Sequence, residues 1–173
     1  TGLGNIRSSN ESVAGYYPDR WVTKSTNNAD GSGTFGRKAQ RQVIVNQLKS
    51  EIDTNQAIRE DQRGFNVIAC PGYPELISNM IGLNTDRNST AFVVGDTPLR
   101  LAGTSTAVSN WANNSAGAAA DGEDGLVSAS ENLGVFYPSG QTTDNTGSTI
   151  IVPPSHMMLR TLANNNNIGF PWF

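Results

Sequence analysis

The side chains best suited to covalent chemistry in this sequence are Cys70 and His156, its only cysteine and its only histidine. A thiol beside an imidazole can act as a nucleophile with its base when the fold brings the two within hydrogen-bonding distance. Cys70, however, ends the apolar run "FNVIAC", where a thiol usually serves as a small hydrophobic side chain. His156 falls in the first turn of a predicted helix, which favours a surface or capping role. We therefore expect no catalysis by this pair.

A glycine-rich stretch, "GSGTFG", matches the dinucleotide-binding pattern G-x-G-x-x-G at Gly31, Gly33 and Gly36. The pattern binds a pyrophosphate only when it joins a strand to a helix, because the backbone amides at the helix start then face the phosphates. The preceding residues, "KSTNNAD", do not predict a strand. We therefore interpret the stretch as a flexible loop and expect no nucleotide cofactor.

Three carboxylates, Asp121, Glu123 and Asp124, cluster in the sequence "DGEDG". Hard cations prefer carboxylate oxygens, but a calcium loop places its ligands at alternate positions and ends on a glutamate at the twelfth position. The cluster lacks that spacing. It therefore favours a solvated acidic loop, and we predict no metal site.

Asp96 is the remaining candidate, because it directly follows the apolar run "AFVVG". Open α/β sheets bind ligands beyond the carboxyl ends of their strands, so a small-molecule site is conceivable there. "GDTP" is also a turn sequence in which aspartate and proline have their usual roles, and we favour the turn. In a turn, Asp96→Ala would cost about 1–2 kcal/mol at most. The alternative of an α/β binding or enzyme domain with its site near Asp96 stays open.

Hydrophobic periodicity predicts the elements that would position these residues. It indicates an amphipathic helix over 37–53, a buried strand over 65–70, and a helix from Pro74 that leads to a second strand over 91–95. A strand, a helix and a strand within about 30 residues predict a βαβ unit with parallel strands.

The second half of the chain extends this arrangement. A short helix is predicted around Trp111 and a third strand over 133–137. A turn region, "SGQTTDNTGS", then returns through 149–152 into a helix that starts near Pro154. We therefore predict an α/β fold, with a small, mostly parallel sheet, helices packed on it in βαβ units, and long polar loops.

Composition limits the functional classes. The chain has 173 residues and a net charge of −3, and it lacks a basic stripe, which argues against a nucleic-acid partner. It contains no run of about 18 apolar residues, so we expect no membrane insertion. The first residues show no signal-peptide pattern. A single cysteine excludes an internal disulfide and suits a reducing compartment.

The chain ends in "GFPWF", an aromatic cluster at Phe170, Trp172 and Phe173. Large exposed apolar side chains usually mark an interface. Three interpretations are open: the segment folds back on its own core, it docks on a partner, or it belongs to a longer chain.

Six stretches occur in order along the chain: "FNVIACPGYPELISNM", "AFVVGDTPLRL", "DGEDGLVSA", "VFYPSG", "IIVPPSHMMLRTLA" and "GFPWF". Together they resemble the contractile-tail sheath proteins of T-even-like myoviruses, including their marine cyanophage relatives. The resemblance covers residues 37–173, which is most of the chain. It depends on the ordered set, since a single stretch such as "PGYP" is weak.

The resemblance implies a structural protein and not an enzyme. Sheath subunits stack as six-membered rings around the tail tube, and contraction of the sheath drives the tube through the host envelope for genome ejection. Such contraction is a switch between two sets of subunit contacts. The implied partners are neighbouring sheath subunits, the tail tube protein, and the baseplate and tail terminator proteins. The implied location is the virion, after assembly in the cytoplasm of the host bacterium.

The resemblance also implies that the sequence is an internal portion of a larger subunit. Residues 1–36 would be a peripheral segment at the end of an outer sheath domain. Residues 37–173 would be the sheath α/β domain, incomplete at its C-terminus. Phe170, Trp172 and Phe173 would then contact another domain or a neighbouring subunit.

Overall fold

The computed structural model describes residues 35–60, 62–99, 101–117 and 122–169. The chain divides into two compact units, Thr1–Glu51 and Ile52–Phe173. The division falls inside the first helix, α1 (Phe35–Thr54), which is slightly longer than the amphipathic helix predicted over 37–53. The resemblance to sheath proteins placed a boundary at residue 36 instead, and that boundary stays a prediction.

The second unit contains a three-stranded parallel sheet with the order β1-β2-β3. Its strands are β1 (Val67–Ala69), β2 (Phe92–Asp96) and β3 (Leu133–Phe136). β2 lies in the middle, with Phe92 opposite Val67 and Asp96 opposite Phe136. The predicted α/β fold with a small parallel sheet is confirmed.

Helices connect and follow the three strands. They are α2 (Ile77–Asp86) between β1 and β2, α3 (Ser105–Ala112) between β2 and β3, and α4 (Pro154–Ile168). Short 3₁₀ helices occur at Gln56–Ile58 and Pro74–Leu76. Within the described residues, no helix combines the length and the apolar character that a membrane span requires.

The main hydrophobic core lies on the face of the sheet against which α2 packs. Ile68, Val93 and Leu133 stand opposite one another on adjacent strands, so their side chains share this face. The buried core residues are Ile68, Ile77, Met80, Leu83, Ala91, Val93 and Trp111. A Cβ atom on Gly95 would lie 3.2 Å from Ile77 Cδ1. The absence of a side chain at Gly95 therefore lets α2 approach the central strand closely.

Arg87 orders the segment between the first 3₁₀ helix and β1. Its guanidinium donates hydrogen bonds to the carbonyl oxygens of Ile58 (3.1 Å), Glu60 (2.9 Å) and Arg63 (2.9 Å). The group also lies 4.0 Å from the centroid of the Phe65 ring. Arg87 is only 4% exposed. Its buried guanidinium therefore stabilises a segment that has little regular secondary structure of its own.

An antiparallel hairpin, which was not predicted from the sequence, follows the parallel sheet. β4 (Gly140–Thr143) pairs with β5 (Thr149–Val152), whereas residues 139–148 were predicted as a turn region throughout. That prediction was wrong for β4, because "GQTT" shows no apolar alternation. In the turn, Asp144 Oδ1 accepts hydrogen bonds from the hydroxyl of Thr146 and the N–H of Ser148, which lower the pKa of Asp144.

Candidate functional site

The carboxylate of Asp96, at the carboxyl end of β2, accepts three hydrogen bonds. Oδ2 accepts hydrogen bonds from the N–H of Gly72 (2.7 Å) and the hydroxyl of Ser155 (2.7 Å). Oδ1 accepts a hydrogen bond from the N–H of Ser155 (2.7 Å). Asp96 is 3% exposed and Ser155 is fully buried. We call this group of three residues the Asp96 anchor.

The Asp96 anchor supplies what the start of α4 lacks. The N-cap residue of α4 is Pro153, which makes no side-chain capping bond. Asp96 provides the acceptor from a distant strand, and its negative charge lies where the helix dipole favours it. On the other side, Gly72 has a φ of +81°, which glycine adopts without strain. The anchor therefore connects a strand, a loop and a helix.

The turn interpretation of "GDTP" was incomplete. Asp96 is the last residue of β2, and its carboxylate bonds residues 24 and 59 positions away. The sequence indicated a carboxylate at the end of a buried strand but gave no sign of Ser155 or Gly72. One available signal was "VPPS", a helix start that has a proline where a capping side chain is expected.

Cys70 and His156 do not have the environment of a nucleophile and its base. Cys70 is a free, half-buried thiol, whereas His156 is exposed at the start of α4. Burial, together with the negative charges of Asp96 and Glu75, raises the pKa of the Cys70 thiol from 9.0 to about 11. Reactive cysteines have lowered pKa values, so this environment opposes nucleophilic chemistry.

We expect Cys70 to react slowly with thiol reagents. At pH 8, a thiol with a pKa of about 11 carries roughly 100-fold less of the reactive thiolate than one with a pKa of 9.0. Because a thiolate of higher pKa is also more nucleophilic, part of this loss is offset, and the rate of labelling by a disulfide reagent in native protein should be roughly 10-fold below that in urea-unfolded protein. Glutathione, labelled in both solvents, corrects for the effect of urea. Equal native and unfolded rates would contradict the raised pKa.

The other motifs do not assemble a ligand set. Gly31, Gly33 and Asp121 lie outside the described residues, and Gly36 lies within α1. In the part of the chain that the structure describes, no three His, Cys, Asp or Glu side chains are placed to hold a metal ion. Phe170, Trp172 and Phe173 also lie outside the described residues, so their contact stays a prediction.

A groove between α4 and the start of β1 is a second candidate site. Its volume is about 330 Å³. Its lining residues are Asn66, Val67, Leu159, Leu162, Ala163 and Asn166. None of these side chains is ionisable, so the groove suits the burial of an apolar group and not acid–base chemistry.

No known protein family, curated protein or solved structure matches this chain. Asp96, the group best placed to bind a ligand, is engaged inside the fold, and the thiol of Cys70 is held in its neutral form. The groove beside α4 is apolar.

Proposed function

We propose that this chain is a structural subunit of a bacteriophage contractile tail sheath, which polymerises as stacked hexameric rings around the tail tube. The ordered set of six sequence stretches is the observation that carries the proposal. In the fold, these stretches include β1, β2 and the first half of α4, which form the framework of the domain. The resemblance therefore involves packed elements and not only variable loops.

The Asp96 anchor supports a structural role. Its carboxylate holds Gly72 and Ser155 together at the edge of the sheet where a ligand would otherwise bind. Sheath contraction exchanges subunit contacts while each domain keeps its shape. Such rigid-body motion needs a domain whose strand, loop and helix stay connected, and the anchor provides that connection.

Exposed apolar residues on β5 offer a surface for a neighbouring subunit. Ile150 is 41% exposed and Ile151 is 57% exposed. Because they are consecutive, their side chains project from opposite faces of the hairpin. The strand sequence, "TIIV", carries no charge that would prevent edge-to-edge pairing. Under the proposal, an adjacent sheath subunit covers this strand.

The alternative is a small-molecule binding or enzyme domain with its site near Asp96. It has less support, because a ligand at that carboxylate would have to displace the hydrogen bonds from Gly72 and Ser155. The three donor groups, which are the two backbone N–H groups and the buried hydroxyl of Ser155, would then need new acceptors.

Negative-stain electron microscopy of the gene product that contains this sequence tests the proposal. We expect tubes or stacked rings with six-fold symmetry. Assembly should vary with ionic strength, because exposed charges are screened beyond about 10 Å at 0.1 M salt. A product that stays monomeric at every salt concentration, yet binds a small molecule that a folded Asp96→Asn variant does not bind, would favour the alternative.

Ile151→Lys is expected to prevent assembly of the gene product and to change its free energy of unfolding by less than about 1 kcal/mol. The side chain is 57% exposed, so the lysine acts on the contact more than on the fold. Asn145→Lys is the matched control, since it adds the same charge to the exposed turn of the same hairpin. Sedimentation measures assembly. Normal assembly of Ile151→Lys would exclude β5 from the subunit contact.

A further inference from the structure

Arg87 carries a buried positive charge that no carboxylate balances in the part of the chain that the structure describes. Its side chain is 4% exposed, and the neighbouring ion pair joins Asp86 to Arg59 and not to Arg87. The acceptors of the Arg87 guanidinium are three backbone carbonyl oxygens, which are neutral. Burying a charge is costly unless an opposite charge compensates it. Dipoles alone therefore hold this cation.

The Nε–H group of Arg87 is an unused donor. Nη1 and Nη2 make the three hydrogen bonds to carbonyl oxygens, whereas Nε is buried and has no acceptor among the described residues. Deprotonation cannot remove this donor, because arginine keeps its charge in proteins. Nearly all buried donors in native proteins are paired with protein, water or an ion. Nε therefore marks the position where a further acceptor would bind.

The surroundings of Arg87 favour a small anion as that acceptor. The ring of Phe65 lies 4.0 Å from the guanidinium, and Phe65 and Ile58 pack against the hydrophobic core. Charges attract each other more strongly in such a low-dielectric environment than in water. A neutral acceptor would satisfy the donor but not the charge. Phosphate is better matched by the two-pronged fork of arginine, whose outer nitrogens are engaged by carbonyl groups here.

We propose that Arg87 binds a small monovalent anion, of the size of chloride, through its Nε–H group. The anion compensates the buried charge and completes the support of residues 58–63, whose carbonyl groups the same guanidinium bonds. The concentration of the anion then controls the stability of the domain. The inference goes beyond the proposed sheath function and does not depend on it.

Thermal unfolding at constant ionic strength tests the site, with chloride replacing the bulky anion gluconate. The unfolding midpoint of the protein should rise by several degrees, because a ligand that binds only the folded state stabilises it. Constant ionic strength keeps the screening of surface charges unchanged. Arg87→Met should abolish the chloride-dependent rise. Arg63→Met is the matched control, since it removes the same charge from an exposed arginine, and it should keep the rise.

Bromide diffraction is a second measurement, and it requires no variant. Crystals grown in sodium bromide should show an anomalous peak beside Nε of Arg87. Arg87→Gln repeats the unfolding test if Arg87→Met fails to fold, because it removes the charge but keeps an NH₂ donor for the carbonyl groups. Three results would overturn the proposal: an equal chloride-dependent rise in the protein and in its Arg87 variants, a water molecule in place of bromide at Nε, or a bromide peak without chloride-dependent stabilisation, which would show an adventitious ion only.

Discussion

Replacing Asp96 by alanine is expected to lower the free energy of unfolding by about 3–5 kcal/mol. The substitution leaves three donors without their acceptor, namely the N–H of Gly72 and the N–H and hydroxyl of Ser155. Ser155 is fully buried, so water cannot replace the lost bonds without rearrangement. The expected loss exceeds the 1–2 kcal/mol that a turn aspartate would give.

Urea unfolding of Asp96→Ala beside Asp86→Ala measures this difference. Asp86 is the matched carboxylate, since it bonds Arg59 at 2.9 Å but its side chain is 55% exposed. Exposed pairs of this kind contribute about 0–1 kcal/mol. The loss of unfolding free energy for Asp96→Asn should lie between those of Asp96→Ala and Asp86→Ala. The amide keeps one oxygen acceptor but places an NH₂ group against the donors that the second carboxylate oxygen had bonded. Equal losses for Asp96→Ala and Asp86→Ala would contradict the role of the anchor.

Arg87→Met is expected to lower the free energy of unfolding by about 2–4 kcal/mol. Methionine fills much of the same volume but leaves the carbonyl oxygens of Ile58, Glu60 and Arg63 without their donor. It also removes the cation from the Phe65 ring. Relief of the desolvation cost of a buried charge offsets part of the loss, which is why the expected value is below the sum of three charge-assisted bonds.

Arg63→Met is the control for this substitution, since Arg63 is an exposed arginine of the same segment and should change stability by less than about 0.5 kcal/mol. Arg87→Lys keeps the charge but lacks the planar fork that bonds three carbonyl groups. Lysine should therefore restore only part of the lost stability. Limited proteolysis adds a local measurement, with faster cleavage at residues 58–63 in Arg87→Met. Full rescue by lysine would refute the forked geometry as the source of stability.

The sequence predicted the parallel sheet because each strand and connecting helix has a strong local pattern. The apolar runs ending at Cys70 and Gly95 indicated buried strands, and Pro74 indicated the helical region between them. β4 was missed because its side chains are polar and its partner, β5, determines that it is a strand. Such a strand forms because of its pairing with a neighbouring strand, and not because of the intrinsic β-propensity of its own residues.

The candidate site was predictable only as far as its strand. Asp96 stands at a position that the sequence identifies, the carboxyl end of a buried strand. Its bonds to Gly72 and Ser155 were not predictable, because no periodicity relates residues 24 and 59 positions apart. The burial of Arg87 was likewise not predictable, because a single arginine after α2 has no sequence pattern that distinguishes a buried side chain from an exposed one.

The separation of 59 residues between Asp96 and Ser155 also bears on the expected order of folding. The β1–α2–β2 unit joins Val67 to Phe92 across a much shorter stretch of chain, so its closure costs less conformational entropy. α4 can acquire its cap only after β2 is in place, since Asp96 supplies it. We therefore expect α4 to dock after the β1–α2–β2 unit has formed, and to be released first in partial unfolding.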